Sequence, residues 1–322
     1  MNGKRFLVMP FVLAIGTLML YITVRTLFDR NENQLQLTQS YSRSTNAVNE
    51  QQFNISDKLR YRLDFNEVDK FSLYDEKLVK YVRGKISQPS REPRDVTKRQ
   101  KTDFSQVGQS KYVDKLLSGR KGGFFIECGA SNGQTLSNSL FFELERNWTG
   151  ILIEANPVYY RTLLGKRRRS YVLSACLSTQ RRPMTVRMQP AGLRGGIVSQ
   201  MHPSHFSFID HRKRPEITVT CFPLNTIMAA LSIVHVDYLS LDVEGPELDI
   251  LRTVDWTRLR VDVMTIEYRV SSGQGIDKSS TLRKLSSLRK YFRDTAMYEE
   301  VGLLPRGDES QGLDVVFSRI LR

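Results

Sequence analysis

The sequence predicts an α/β domain on a mostly parallel sheet covered on both faces, and three observations carry that prediction. Short apolar runs alternate with helical segments from about residue 103 onward. The runs are apolar throughout, as strands buried on both faces are. Three of them, "FFIECG", "GILIEANP" and "DYLSLDVEG", stop at or beside a carboxylate. In such sheets ligands bind beyond the carboxyl ends of the strands, so the loops after these runs are where function is expected.

The elements follow in order. Ser72–Arg83 reads as a short helix, with Ser72 and Asp75 as a capping box and Leu73, Leu78, Tyr81 and Val82 on one face. A helix from Ser110 is ended by Gly119. Phe124–Cys128 is the first strand and Leu136–Arg146 a helix with Leu140, Phe141 and Leu144 inward. Gly150–Glu154 is a strand, Pro157–Leu164 a helix with proline in its first turn, and Tyr171–Ala175 a strand. A less regular stretch to Thr220 offers short strands at Thr185–Met188 and Ile217–Cys221. Leu224–Leu231 is helical, and strands Asp237–Val243 and Val261–Tyr268 flank a helix from Pro246 to about Thr253. Leu282–Phe292 is a helix, and Leu313–Ser318 a last strand.

Before this domain the chain changes character. "FLVMPFVLAIGTLMLYITV", Phe6 to Val24, contains no charge. At 1.5 Å per residue it reaches roughly 28 Å, about the hydrocarbon thickness of a bilayer. A cleaved signal peptide is the rival reading, but Arg25, Thr26, Leu27 and Phe28 follow where a small-residue cleavage site should stand. The organisation expected is a cytosolic tail (1–5), a transmembrane signal anchor (6–24), a flexible stem (25–58), a helical and linker region (59–102) and the α/β domain (103–322). Lys4 and Arg5 before the span favour a cytosolic N-terminus and a lumenal body. The stem is rich in Gln, Asn and Ser and cannot bury enough surface to offset its ordering entropy.

The lumenal placement gives meaning to two sequons, Asn54-Ile55-Ser56 and Asn147-Trp148-Thr149, the second adjoining a strand and expected to be more buried. Cys128, Cys176 and Cys221 cannot all pair. They read as small buried residues, with one disulfide between two of them as the alternative. No spacing for zinc is present, and no metal site is expected.

The formal net charge is +14, concentrated in clusters such as "GKRRRS" (Gly165 to Ser170), Arg181–Arg182 and "HRKR" (His211 to Arg214). These read as solvated faces, or as attraction for anionic glycans, lipid headgroups or an acidic partner. The anchor argues against nucleic acid. His202, His205 and His211 lie in the irregular stretch and read as surface residues.

The strand ends carry the chemistry. After Glu127, Gly129 lets the backbone turn and Gly133 lets a ligand approach it. The G-x-G-x-x-G and P-loop spacings are absent, so phosphate is not the expected ligand. Glu154, one strand over, is placed to accept both hydroxyls of a ribose, by charged hydrogen bonds worth roughly 1.5–3 kcal/mol each. Asp242 follows Leu241 inside an apolar run, where an unpaired charge is costly, and Glu244 and Gly245 come next.

"FFIECGASNGQTLSNSLFFE", "NWTGILIEANP", "ACLS" and "VDYLSLDVEGPELDIL" resemble the FkbM-type methyltransferase family, over roughly Gln109 to Phe317. The anchored N-terminus and "GQSKYVDKLL" resemble its membrane-anchored animal Star-like branch. The resemblance implies a Rossmann-like, seven-stranded S-adenosylmethionine-binding fold, with "LDVVF" in an antiparallel finish. It implies that Glu127, Gly129, Ala130 and Gly133 line the methionine end of S-adenosyl-L-methionine, and that Glu154 holds the ribose. Asp242 then lies near the sulfonium and the acceptor. Many members carry Lys where this chain has Ser240.

Two functions are expected from this. One is a lumenal O-methyltransferase of the endoplasmic reticulum or Golgi, acting on a small-molecule, glycan or protein hydroxyl, with Asp242 and Glu244 (and Glu267) as candidate bases. The other is a non-catalytic escort of secretory cargo, exporting growth-factor precursors, as the Star-like resemblance implies.

Overall fold

The computed structural model describes residues 71–97, 103–192, 195–201, 203, 215–272, 275–305 and 307–320. The anchor segment, the stem, Asn54 and the three histidines of the irregular stretch lie outside the described residues. Among the described residues no helix is long and apolar enough to cross a membrane.

A seven-stranded sheet forms the centre. Its strands are β1 (Phe124–Cys128), β2 (Thr149–Glu154), β3 (Tyr171–Ser174), β8 (His235–Leu241), β9 (Arg260–Glu267), β12 (Tyr298–Leu304) and β13 (Asp314–Arg319). The order is β12-β13-β9-β8-β1-β2-β3. β1 pairs in parallel with both β2 and β8, so the chain winds outward in both directions from the β1/β8 boundary. β13 runs antiparallel between β9 and β12, the antiparallel finish expected of "LDVVF".

Adjacent residues of each strand point to opposite faces, and both faces are apolar. On one, Ile126, Ile151, Leu239 and Met264 pack under α1 (Glu76–Lys85), α5 (Leu224–Leu231), α6 (Glu247–Thr253) and α7 (Lys278–Thr295). On the other, Phe125, Leu152, Tyr238 and Val263 meet Val113 of α2 (Gln109–Leu116), Phe141 and Phe142 of α3 (Leu140–Glu145), and Leu163 of α4 (Pro157–Gly165). This two-sided burial is why the strands are apolar throughout.

A smaller sheet of order β4-β7-β5-β6 stands beside the carboxyl ends of β2 and β3. It comprises β4 (Cys176–Leu177), β5 (Met184–Gln189), β6 (Gly196–Ile197) and β7 (Ile217–Phe222). Cys176 and Cys221 face each other across β4 and β7 and form a disulfide, while Cys128 is free and buried. A two-residue hairpin, β10 (Ser271–Ser272) and β11 (Gly275–Ile276), leads into α7.

Several sequence expectations are corrected. α1 begins at Glu76 because Asp75, and not Ser72, caps it, accepting from the Leu78 N–H at 3.0 Å. Leu78 and Val82 enter the sheet's core, Arg83 donates to the Ala230 carbonyl, and Ser87 bridges to Val172 of β3. α1 and Ser87 thus pack with the sheet ahead of residue 103. α3 starts at Leu140, not Leu136, because Ser137, Asn138 and Ser139 spend their donors on Glu127. The strand Tyr298–Leu304 is missing from the sequence reading: Glu299 and Glu300 hide the apolar pattern of an edge strand, which also bulges between Glu300 and Gly302. The Asn147 sequon, expected to be more buried, is exposed at its asparagine, although Trp148 packs inward.

Candidate active site

The loops after β1, β2, β8 and β9 enclose a cavity of about 360 Å³ at the carboxyl edge of the sheet, beside the β1/β8 switch. Its walls include Glu127, Gly129, Ala130 and Ser131 from the first loop, Glu154 and Asn156 from the second, and Asp242, Glu244 and Glu267 from the others. Cys176, Met188 and Ile197 of the small sheet add apolar wall.

Gly129 has φ +81°, and a Cβ there would stand 1.9 Å from the backbone carbonyl oxygen of Asp242. The first and fourth parallel strands thus approach so closely at their ends that no side chain fits between them. Gly133 also has positive φ, but its added Cβ would meet Leu163 of α4 at 2.2 Å. It lies off the cavity wall, and packing explains it without a ligand.

Glu127 lines the cavity, yet both its oxygens are engaged in shaping it. Oε2 accepts from the Ser137 hydroxyl at 2.9 Å and from the Ser139 hydroxyl, and Oε1 from the Asn138 N–H at 2.8 Å. Its direct work is to tie the loop before α3 to the end of β1.

Glu154 is buried rather than facing solvent. Oε2 accepts from the Ser131 N–H and Oε1 from the Asn156 N–H, each at 2.7 Å. Burial pushes its carboxyl up to about 7, against the lowering effect of these N–H groups. A carboxylate has about four acceptor positions, so the pair of backbone bonds leaves room for hydroxyl donors.

On the far wall Asp242, Glu244 and Glu267 converge, with one ligand-capable oxygen of each within 4.8 Å of the others. Glu244 sits at φ +63°, in the left-handed region, where the chain turns from β8 toward α6. Burial first, and then the neighbouring carboxylates, raise Asp242 and Glu267 above the ordinary carboxylate range. Glu247, at the start of α6, accepts from the N–H groups of Val243 and Gly245 and pairs with Lys284 at 2.6 Å, fixing the turn that carries Glu244.

Two sets of residues escaped the sequence reading. Asp314, the first residue of β13, is buried and accepts from Gln109 at 2.6 Å. Burial, then the Asp242 charge, push it up to about 7. "LDVVF" has the same mark as the other strand ends, a lone carboxylate beside an apolar run, and could have revealed it. The second set hides in a basic run. Arg168, from the cluster "GKRRRS" read as solvated, is 2% exposed. It pairs with buried Glu143 at 2.8 Å and donates to the Gly133 carbonyl and the Ser139 hydroxyl. Burial raises Glu143, but Arg168, the Arg169 N–H and Ser170 outweigh it and hold the carboxyl low. Nothing in the local pattern of "KRRRS" separates this arginine from its neighbours.

Ser240 is buried in β8 and accepts from the Asn138 side-chain amide at 2.9 Å. Its hydroxyl belongs to the same scaffold as Glu127.

The family profile described as "Methyltransferase FkbM domain" matches residues 127–295, just over half of the chain. No curated protein matches. Solved structures of similar fold include methyltransferase FkbM from Methylobacillus flagellatus KT, at 15% identity and TM-score 0.40, covering 67% of this chain and 48% of that one. This chain thus spans about half the length of that relative. Another is precorrin-6y C5,15-methyltransferase from Geobacter metallireducens GS-15, at 14% identity and TM-score 0.34, covering 70% and 94%. A third is the Burkholderia thailandensis 1,6-didemethyltoxoflavin-N1-methyltransferase with bound 1,6-didemethyltoxoflavin and S-adenosylhomocysteine, at 13% identity and TM-score 0.32, covering 66% and 76%. By the match of its own residues 127–295, the chain belongs to the methyltransferase FkbM domain family.

Proposed function

We propose that this chain is an S-adenosylmethionine-dependent methyltransferase acting on an oxygen acceptor. One observation carries the reading: a single cavity at the β1/β8 switch gathers the close-approach glycine Gly129, the buried Glu154 and the carboxylates Asp242 and Glu267. The residues fit the cofactor. Glu154 would accept ribose hydroxyls on its remaining lone pairs, and Gly129 and Ala130 would present bare backbone to the methionine portion. Glu127 and Arg168 would hold that loop in place. When bound, the cofactor supplies a methyl group already activated by its sulfonium. The protein's work is then alignment, together with receipt of the acceptor's proton. Asp242 and Glu267 would take such a proton, and their raised carboxyls bring them nearer the operating range of a base.

The acceptor is a hydroxyl of a small molecule, a glycan or a protein in the secretory pathway. The Cys176–Cys221 disulfide supports an oxidising compartment, and the exposed Asn147 is compatible with glycosylation there. The uncharged segment 6–24 would supply the anchor. Ser240, where many relatives carry Lys, favours a second reading, in which the domain binds cofactor or cargo as a Star-like escort without transferring a methyl group.

Ultraviolet crosslinking of the full chain to methyl-tritiated S-adenosylmethionine tests the placement. Label in peptides spanning 124–136, 150–159 or 237–247 is the expected result. Label confined elsewhere, or none above a heat-denatured control, overturns it.

A further inference from the structure

Methyl transfer to a hydroxyl requires one proton acceptor, and the cavity gathers three carboxylates. Asp242 and Glu244 leave the end of β8, and Glu267 ends β9; the pairing of Leu241 with Ile266 sets Asp242 and Glu267 side by side. The three offer oxygens within 4.8 Å of one another and all line the cavity. Acidic turns are common, and this grouping alone would say little.

Glu267 adds an independent observation. The residue is 5% exposed, its carboxyl meets that of Asp242 in a side-chain hydrogen bond, and its Oε2 is buried with no hydrogen-bond partner among the described residues. A buried carboxylate oxygen without a donor costs more than a lost hydrogen bond, so such an atom persists where something positive can meet it. Among the described residues, Lys284 makes its close ion pair with Glu247 at 2.6 Å and offsets the charge of Glu267 and Glu244 only as a shared neighbour, and Arg269 donates to the carbonyls of Gly312 and Gln311.

We propose that Asp242, Glu244 and Glu267 bind one divalent cation. Three carboxylates, with no imidazole or thiolate among them, select the hard, oxygen-preferring ions Mg²⁺, Mn²⁺ and Ca²⁺ over zinc. Three protein ligands leave coordination positions for water or for an acceptor oxygen, which the ion would hold and polarise beside the methyl donor. That use of the ion rests on the methyltransferase reading and would replace direct proton uptake by Asp242 and Glu267; the ion's binding does not rest on it.

The test uses Mn²⁺ alone, titrated into the full chain with no methyl donor and followed by electron paramagnetic resonance of the free ion. One saturable ion per chain is expected. Glu267→Gln and Asp242→Asn should each weaken it by at least about tenfold, an effect typical of disturbing a metal's ligand set. Asp249→Asn, an exposed carboxylate of α6 outside the cluster, should leave it unchanged. Glu267→Gln should fold, since it removes a buried charge; should it not, half-buried Asp242 decides. Absence of saturable Mn²⁺ binding overturns the proposal, as does equal affinity in wild type and Asp242→Asn. Mn²⁺ binding without cofactor binding would uphold the ion site and reject the methyltransferase reading.

Discussion

Replacing Glu154 with Gln keeps the shape of the side chain and changes only what its two terminal atoms can do. In the wild type both oxygens accept from backbone N–H groups, Ser131 and Asn156, at 2.7 Å each. The amide of Gln can accept one of these bonds; its NH₂ must then face the other N–H donor to donor. One buried N–H left unsatisfied costs about 1–3 kcal/mol. At pH 7 little is regained from removing the charge, because burial already holds the carboxyl near half-protonated, at about 7. The variant should therefore be less stable by about 1–3 kcal/mol, read as a lower urea midpoint with unchanged m-value. Its affinity for S-adenosylmethionine should fall ~10-fold to ~150-fold, the equivalent of one hydrogen bond to a charged acceptor. Wild-type affinity should also drop as pH falls below about 7, when Glu154 takes up a proton, and this dependence should vanish in the variant. Wild-type affinity with an unaltered pH profile in Glu154→Gln would refute the ribose placement. Unchanged stability would refute the two backbone bonds.

Other expectations follow from the same geometry. Gly129→Ala, which places a Cβ against the Asp242 carbonyl at positive φ, should cost about 2–4 kcal/mol from overpacking and left-handed strain and abolish cofactor binding; a stable, binding variant would contradict the close approach. Arg168→Met should destabilise the chain by about 3 kcal/mol in urea titration by leaving Glu143 with Arg94 as its remaining ion-pair partner, and a loss below about 1 kcal/mol would reduce Arg168 to a bystander. Glu154 and Asp314 hold protons in the folded state up to about 7 that the unfolded chain releases near its ordinary carboxylate range, so the native state binds more protons across that window. The stability they contribute should then be fully present below about pH 4 and be lost as pH rises through about 7, by roughly 3–4 kcal/mol per group; denaturation midpoints that rise over this range would contradict it.

What the sequence revealed depended on how each residue is used. The parallel strands β1, β2, β3, β8 and β9 were legible because both faces of the sheet are covered, which makes their apolar runs continuous. The edge strand Tyr298–Leu304 was not, because one flank meets solvent and its glutamates break the run. Glu127, Glu154 and Asp242 stood out as lone charges at apolar run ends, and the structure places all three on one cavity. Their detailed tasks were hidden. That Glu127 ties down Ser137 and Ser139, or that Gly133 yields to Leu163, depends on contacts made by the fold and not on spacing. Arg168 was the least legible, a buried arginine inside a run of exposed ones.

The central claim is that the cavity at the β1/β8 switch binds S-adenosylmethionine. Isothermal calorimetry of the full chain with this ligand tests it most directly. The account predicts saturable binding of one ligand per chain, weakened in Glu154→Gln and lost in Gly129→Ala. No heat of binding at millimolar ligand, from a chain shown to be folded, would contradict it.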